Sequence, residues 1–311
     1  MSRAVLGLAF VLTLALIVVG WWASPPEPVR VLRRHWSPLA RVERDPAPEL
    51  GARVERWRMI TASGDTVRGL WRAAGTGAPR PWTAVLLGGL VTGDRAALLI
   101  PDDTPVHVLA VDWPWAGSRR LPPLEILIRL GAIQHAALRS PAALALGVEA
   151  VAGQPEVEPS RVLVLGASLG VPPAIAALRL THVPRALVLL DGGADIAAML
   201  DAALRGAGWP EVPAHAVAAL AFRLVRPLEP SLHAGAAAGL RVLILNSEND
   251  RLVPRPSAER LRAILPGAEM RWRPGDHVDP GHRNRLAATA HEVEAWLADA
   301  AREAGRVAPG R

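Results

Sequence analysis

Residues 161–170 read Arg-Val-Leu-Val-Leu-Gly-Ala-Ser-Leu-Gly. The apolar run is typical of a buried strand, and an Ala- and Leu-rich helical pattern follows the last glycine. A Gly-x-Ser-x-Gly pentapeptide at a strand-to-helix junction needs glycines because the turn is sharp, and this turn projects the serine hydroxyl at the start of the helix. We therefore predict that Ser168 is a nucleophile. The alternative is a tight turn that holds an ordinary serine.

A serine hydroxyl becomes a good nucleophile only when a base takes its proton and a carboxylate orients that base. In a strand–turn–helix setting of this kind, the acid and the histidine follow the serine in chain order. The apolar run at 241–245 leads into the loop of Asp250, and the run at 268–273 leads into His277. We predict that Ser168, Asp250 and His277 form a catalytic triad at the carboxyl ends of three strands.

Other residues near these positions compete for the same roles. Asp191 directly follows another buried run and also keeps the chain order, so it is the alternative acid to Asp250. Asp276 and His282 lie on either side of the predicted histidine, and together with His277 and Asp279 they resemble a metal cluster. A third ligand segment is missing from that cluster, so we predict no metal and no cofactor.

A serine nucleophile that attacks a carbonyl group also needs two backbone N–H groups that bind the developing oxyanion. One belongs to the residue after the nucleophile, Leu169, and the other to a loop after an early strand. Gly88 and Gly89 follow the apolar run 82–87, which makes Leu90 the expected second donor. The alternative for the two glycines is a simple tight loop.

Apolar runs bounded by Gly or Asp alternate with helix-length segments through most of the chain. Such runs are typical of strands buried on both faces of a parallel sheet. A hairpin over 54–61 and 66–73 precedes them, with its turn at Gly64-Asp65. We predict one α/β domain over residues 51–305, with a mostly parallel central sheet and helices on both faces. Residues 193–238 are longer than a crossover needs, which predicts a small helical cap or a plain pair of packing helices.

Residues 4–23 form an apolar stretch without a charge, long enough to cross a bilayer as a helix. We predict a single-pass signal anchor over residues 1–23, because a cut after Ala23 would leave bulky Trp21 where a signal peptidase requires a small residue. A cleaved signal peptide is the alternative.

Residues 24–50, rich in proline and charge, are predicted to be a linker. Arginines just beyond the anchor argue for a cytoplasmic domain, whereas a signal anchor argues for the extracytoplasmic side, which we favour.

The composition excludes several classes of protein. The chain of 311 residues has no cysteine, which excludes disulfides, thiolate metal sites and a cysteine nucleophile. The net charge is +6, but the 35 basic residues are all arginine and are scattered among 29 acidic ones. With no zinc-finger spacing and no aromatic RNA-binding signature, we predict no nucleic-acid partner. The composition does not indicate an oligomeric state.

Three further segments accompany these motifs: Glu158-Pro-Ser-Arg-Val162 ahead of the serine motif, Val111-Asp-Trp-Pro-Trp-Ala-Gly117, and Asp250-Arg-Leu-Val-Pro254. With the serine motif, they resemble the α/β-hydrolase superfamily in its dienelactone-hydrolase-like and prolyl-oligopeptidase-like branches. The resemblance covers most of positions 54–303 and implies the α/β-hydrolase fold, the triad of Ser168, Asp250 and His277, and an acyl-enzyme. Gly88-Gly89 stands where many members have His-Gly, and Val171-Pro172-Pro173 where small residues are usual.

We therefore expect a membrane-anchored serine hydrolase that cleaves an ester, thioester or amide bond. Its partners would be a small-molecule or lipidic acyl substrate and, through residues 4–23, the membrane. Two alternatives remain open. An acyltransferase would use the same site with an alcohol acceptor in place of water. A non-catalytic member would keep the fold as a binding module, because a fold alone does not secure a function.

Overall fold

The computed structural model describes residues 27–75, 81–117 and 128–307. Within these residues nine strands form one sheet. The strands are β1 (Leu39–Pro46), β2 (Val54–Thr61), β3 (Thr66–Arg72), β4 (Trp82–Leu87), β5 (Val106–Val111), β6 (Val162–Ala167), β7 (Ala186–Leu190), β8 (Arg241–Ser247) and β9 (Glu269–Arg273). The helices are α1 (Pro28–Arg33), α2 (Leu130–Ala152), α3 (Val171–Ala177), α4 (Ile196–Gly206), α5 (Glu211–Val225), α6 (Arg255–Ile264) and α7 (Arg283–Val307).

The strand order across the sheet is β1-β2-β3-β5-β4-β6-β7-β8-β9. The first three strands are antiparallel to their neighbours, and the six from β5 to β9 run parallel. The carboxyl ends of the parallel strands therefore meet at one edge. Open α/β sheets bind their ligands at this edge, in the crevice where the strand order reverses.

Two hydrophobic cores cover the two faces of the sheet. On one face, side chains of α2, α3 and α6 pack on the strands. On the other face, α7 contributes Val293, Trp296 and Leu297, and the short 3-10 helix Gly93–Leu99 contributes Ala96 and Ala97. Of the parallel strands, β5, β6 and β7 are buried on both faces, which explains their continuous apolar sequences, whereas the edge strand β9 is partly exposed. The predicted mostly parallel sheet with helices on both faces is confirmed.

The described part of the predicted linker is folded. Residues Pro28–Arg33 form α1, and Leu39–Pro46 form the edge strand β1, which pairs antiparallel with β2. Leu32 of α1 is fully buried. The folded region therefore begins before residue 51, and the charged sequence of β1 reflects its place at the edge of the sheet, where charged side chains discourage pairing with other chains.

The segment predicted as a cap contains α4, α5 and three short 3-10 turns. The segment follows the carboxyl end of β7. Glu229, near its end, accepts hydrogen bonds from the Asp195 and Ile196 N–H groups near its start, at 3.0 and 2.9 Å, and so joins the two ends of the segment. Gln134 of α2 donates to the Leu224 carbonyl at 3.0 Å, which ties α5 to the neighbouring helix. The role of this helical pair as a cap stays a prediction.

The predicted membrane anchor over residues 4–23 lies outside the described residues. Within the described ranges, no helix combines the length and the apolar character that crossing a bilayer requires.

Candidate active site

Ser168 lies at the junction of β6 and α3. Its φ is +55°, in the left-handed region that residues other than glycine rarely adopt. The flanking glycines allow this turn: a Cβ at Gly166 would lie 2.7 Å from the Gly170 carbonyl oxygen, and a Cβ at Gly170 would overlap the Leu87 carbonyl. The sharp turn points the Ser168 hydroxyl out of the carboxyl edge of the sheet towards His277.

Three side chains from three strand ends form a continuous hydrogen-bonded chain. The distance from His277 Nε2 to Ser168 Oγ is 2.7 Å, and the distance from His277 Nδ1 to Asp250 Oδ2 is 2.6 Å. Because a carboxylate can only accept, Nδ1 carries a proton and Nε2 is left to accept from the serine hydroxyl. The structure thus brings together the serine, histidine and aspartate that the sequence predicts as a triad.

The Asp250 carboxylate is held in place by its own loop. Its Oδ1 accepts from the backbone N–H groups of Leu252 and Val253 at 2.8 and 2.9 Å, which leaves Oδ2 for the histidine. The side chain is only 2% exposed, against 15% for His277. Hydrogen bonds to buried carboxylates are strong because little water competes for them. This loop therefore fixes the orientation of the imidazole ring.

The competing residues occupy other positions. Asp191 is fully buried behind the site, but its carboxylate accepts from backbone and side-chain donors and makes no hydrogen bond to the His277 ring. Asp276 is exposed, and its carbonyl accepts from Arg285. His282 is exposed and faces Asp279 at 3.6 Å. None of the three therefore takes the place of Asp250 or His277.

Asp191, Asp250 and His277 each present a ligand atom within 4.8 Å of the others, the spacing of a metal cluster. The carboxylate oxygens, however, already accept from N–H groups at 2.7 to 2.9 Å. A cation would have to displace these donors and the Nδ1 proton of the histidine. This set of donors and acceptors fits a hydrogen-bonded acid–base arrangement better than a metal centre.

The loop after β4 lies against the turn that carries the serine. Gly170 lies against the carbonyl of Leu87, which ends β4, and Leu90, the predicted oxyanion donor, follows three residues later in this loop. Trp113 Nε1 donates to the Gly88 carbonyl at 2.9 Å, and the Gly89 carbonyl accepts from Thr92 and Gly93. These hydrogen bonds hold the loop in one conformation.

The bond from Trp113 to Gly88 was not predicted from the sequence. A tryptophan in the loop after β5 is visible in the sequence, but its partner depends on the strand order, in which β5 lies beside β4. The four hydrogen bonds of Asp191 were missed for the same reason. Its position directly after a buried strand was the available signal.

The fold can be compared with those of known proteins. No protein-family model matches the chain, and no curated protein sequence matches it. Among solved structures, a puromycin-hydrolyzing peptidase of Mycobacterium tuberculosis aligns with a TM-score of 0.56 at 17% identity, over 79% of this chain and 39% of the peptidase. This chain thus spans about two fifths of that protein's length.

Two esterases of similar size to this chain align as well. An esterase of Pyrococcus furiosus has a TM-score of 0.53 and 18% identity, with 84% of this chain and 98% of the esterase covered. Acetyl xylan esterase 1 from a Thermoanaerobacterium species has a TM-score of 0.51 and 15% identity, with 82% and 88% covered. At these identities the likeness concerns the fold, and together with the sheet order and the serine turn it shows that the chain has the α/β-hydrolase fold.

Proposed function

We propose that the protein is a serine hydrolase that cleaves an ester, thioester or amide bond through an acyl-enzyme. The observation that carries this proposal is the hydrogen-bonded chain from Ser168 Oγ through His277 to Asp250, with bonds of 2.7 and 2.6 Å. A buried aspartate, a histidine with a free acceptor nitrogen and a serine on a strained turn are the parts that nucleophilic acyl transfer requires.

In the first half of the proposed reaction, Ser168 Oγ attacks the carbonyl carbon of the substrate while His277 Nε2 takes the hydroxyl proton. Asp250 stabilises the imidazolium that results. The carbonyl oxygen becomes an oxyanion, for which the Leu90 and Leu169 N–H groups are the proposed donors. When the tetrahedral intermediate collapses, the bond to the leaving group breaks and His277 returns the proton to that group.

In the second half, water attacks the acyl-serine and His277 takes a proton from it. The ester bond to Ser168 breaks, the serine regains its proton, and the acid product leaves. If an alcohol replaced water here, the same site would carry out acyl transfer. The two outcomes differ only in the acceptor.

The surroundings of the site support an apolar acyl group as substrate. Leu169 beside the nucleophile, Val91 beside the proposed oxyanion donor and Leu252 beside the acid are 60%, 58% and 51% exposed. Contiguous exposed apolar patches are typical of surfaces that bind apolar ligands, and we propose that these three side chains form such a patch around the site. The uncharged residues 4–23 support the further proposal that the enzyme works while anchored to a membrane and meets lipidic substrates there.

Labelling with an alkyl fluorophosphonate tests the proposed chemistry. We expect the full chain in detergent micelles to be labelled and the Ser168→Ala and His277→Ala variants to lose labelling, because the probe reacts only with an activated serine. Ser160→Ala is the matched control, since Ser160 is exposed and its hydroxyl donates to the neighbouring Glu158 carboxylate at 2.9 Å. A folded wild type that stays unlabelled would refute the hydrolase proposal and favour a binding module.

A further inference from the structure

Asp191 is a fully buried carboxylate that the proposed mechanism does not use. It directly follows β7, which lies between β6 with the nucleophile and β8 with the acid. Its φ is +44°, a left-handed conformation that is strained for a residue other than glycine. A buried charge in a strained backbone persists only when its surroundings satisfy it fully. The donors around Asp191 therefore show what this side chain organises.

The Asp191 carboxylate joins the acid loop to the histidine loop. Oδ1 accepts from the backbone N–H of Ser247, which ends β8 three residues before Asp250, at 2.7 Å. Oδ2 accepts from the backbone N–H of Val278, the residue after His277, also at 2.7 Å. The Ser247 hydroxyl adds a third bond to Oδ2 at 3.1 Å. One side chain thus holds the backbone on both sides of the hydrogen bond between Asp250 and His277.

Arg273 supplies the opposite charge for this buried group. It ends β9, and its guanidinium lies 3.4 Å from Asp191 Oδ1 with only 15% of its side chain exposed. The four donors are the Ser247 N–H and hydroxyl at the end of β8, the Arg273 guanidinium at the end of β9, and the Val278 N–H in the histidine loop. Asp191 therefore connects the end of β7 to three other segments. Because all four donors use the carboxylate oxygens, Asp191 makes no bond to the imidazole itself. Its hydrogen bonds therefore act on the backbone beside the ring and not on the ring itself.

We propose that Asp191 is a positioning residue that keeps His277 within hydrogen-bond reach of both Asp250 and Ser168. This proposal rests on the proposed hydrolase function and deepens it. Without the bond from Val278, the loop that carries His277 would lose the backbone hydrogen bond that lies next to the ring, and the bond from Asn249 to the Gly275 carbonyl at 3.1 Å would remain. A displacement of about 1 Å of a reacting group can lower a rate by about a hundredfold.

The Asp191→Asn variant tests the proposal, with Asp195→Asn as the matched control. An asparagine keeps the size of the side chain but turns one acceptor into a donor, so one of the two backbone N–H groups loses its partner. Asp195 also has a positive φ, +71°, but it caps α4 and touches none of the three triad residues. Asparagine caps helices and tolerates this conformation as well as aspartate does.

We expect Asp191→Asn to lower kcat for a chromogenic ester by about 10- to 100-fold and to change KM by less than about threefold. We expect a far-downfield proton resonance from the His277 Nδ1–H group in wild type and in Asp195→Asn, and we expect it to broaden or vanish in Asp191→Asn. A folded Asp191→Asn protein with wild-type kcat and resonance would overturn the proposal. An equal loss of kcat in Asp195→Asn would also overturn it, since the effect would then be general.

A measurement on the wild type covers the case in which Asp191→Asn fails to fold. We expect the Val278 amide to be shifted downfield and to exchange slowly with solvent, because a buried carboxylate accepts its proton. Free exchange at Val278 would overturn the proposal. Both NMR signals can be measured without any substrate, so they test the positioning role independently of activity. A wild type that does not react with the fluorophosphonate would contradict the proposed function alone.

Discussion

Backbone strain in the described residues is concentrated at the site. The residues other than glycine with positive φ are Ser168, Asp191 and Asp195, and all three follow the carboxyl ends of β6 and β7. Each such conformation costs about 1–3 kcal/mol and persists only where neighbours enforce it. Ser168 is enforced by the contacts of its glycines, Asp191 by its four donors, and Asp195 by the helix that it caps. The strained residues therefore lie at the part of the sheet edge where the neighbouring contacts fix the direction of each side chain.

The Gly170→Ala variant should disturb this edge directly. The new methyl group would overlap the Leu87 carbonyl, which is backbone and cannot rotate away, so the serine turn or the loop after β4 must move. We expect the free energy of unfolding to fall by about 1–3 kcal/mol, as for other overpacked sites. We also expect slower labelling of Ser168 by the fluorophosphonate.

Gly206→Ala is the control for this substitution. Gly206 ends α4, and a methyl group there meets no atom within 4 Å. Since alanine is the better helix former by about 1 kcal/mol, this variant should be at least as stable as wild type. Urea unfolding and labelling rates measure both effects, and equal behaviour of the two variants would contradict the steric argument.

At the scale of secondary-structure elements, α1 and β1 belong to the same folded domain as the rest of the sheet. Leu32 of α1 packs in a cluster with Leu138, Ile196 and Leu228, which joins the N-terminal helix to α2 and to the helical pair after β7. Arg44 of β1 lies over the Trp57 ring, 5.0 Å from its centroid. These contacts cover apolar surface that the rest of the domain would otherwise expose to water.

Removal of these elements should therefore destabilise the domain. We expect a protein that starts at residue 51 to unfold at a lower temperature than one that starts at residue 24, because burial of Leu32 alone contributes about 1.5–3 kcal/mol. The loss of β1 also leaves β2 as an unprotected edge, so we expect aggregation. Thermal unfolding followed by circular dichroism measures the first effect, and light scattering the second. Equal unfolding temperatures would mean that residues 27–50 do not contribute to the stability of the domain.

At the scale of the whole molecule, two buried histidines link stability to pH. Burial lowers the pKa of His107, whose ring stacks on Trp71 and whose Nδ1 accepts from the Ala74 N–H at 2.9 Å. Burial likewise lowers the pKa of His233, which is fully enclosed and lies 2.7 Å from the Pro227 carbonyl. Both rings are therefore neutral in the folded state near neutral pH.

Stability should fall as the pH is lowered through this range. Below about pH 6.5 the unfolded chain binds protons at these histidines that the folded chain does not yet bind, so protonation favours unfolding. We expect the free energy of unfolding in urea to decrease from pH 7.5 to pH 5, and to decrease less steeply in His107→Gln. The exposed His282 serves as the control, and His282→Gln should follow the wild-type curve. A His107→Gln curve parallel to that of wild type would refute this assignment.

The sequence by itself determined the buried strands, the serine turn and the chain order of Ser168, Asp250 and His277. These features rest on local patterns: a strand buried on both faces is continuously apolar, and a sharp strand-to-helix turn needs glycines. The sequence also predicted that the three side chains follow strand ends, and in a parallel sheet such ends share an edge. His277 and Ser168 meet there although they lie 109 residues apart.

Only the tertiary structure decided the strand pairing of β1 and the partners of Asp191. A charged edge strand has no apolar pattern of its own, because its stability comes from hydrogen bonds to β2 and from side chains far along the chain. From the sequence alone, the carboxylate of Asp191 could equally face the histidine ring. In the structure, the register of β8 and the positive φ of Asp191 direct it to the N–H groups of Ser247 and Val278. Contacts of this kind depend on how distant segments are brought together, and no local pattern encodes them.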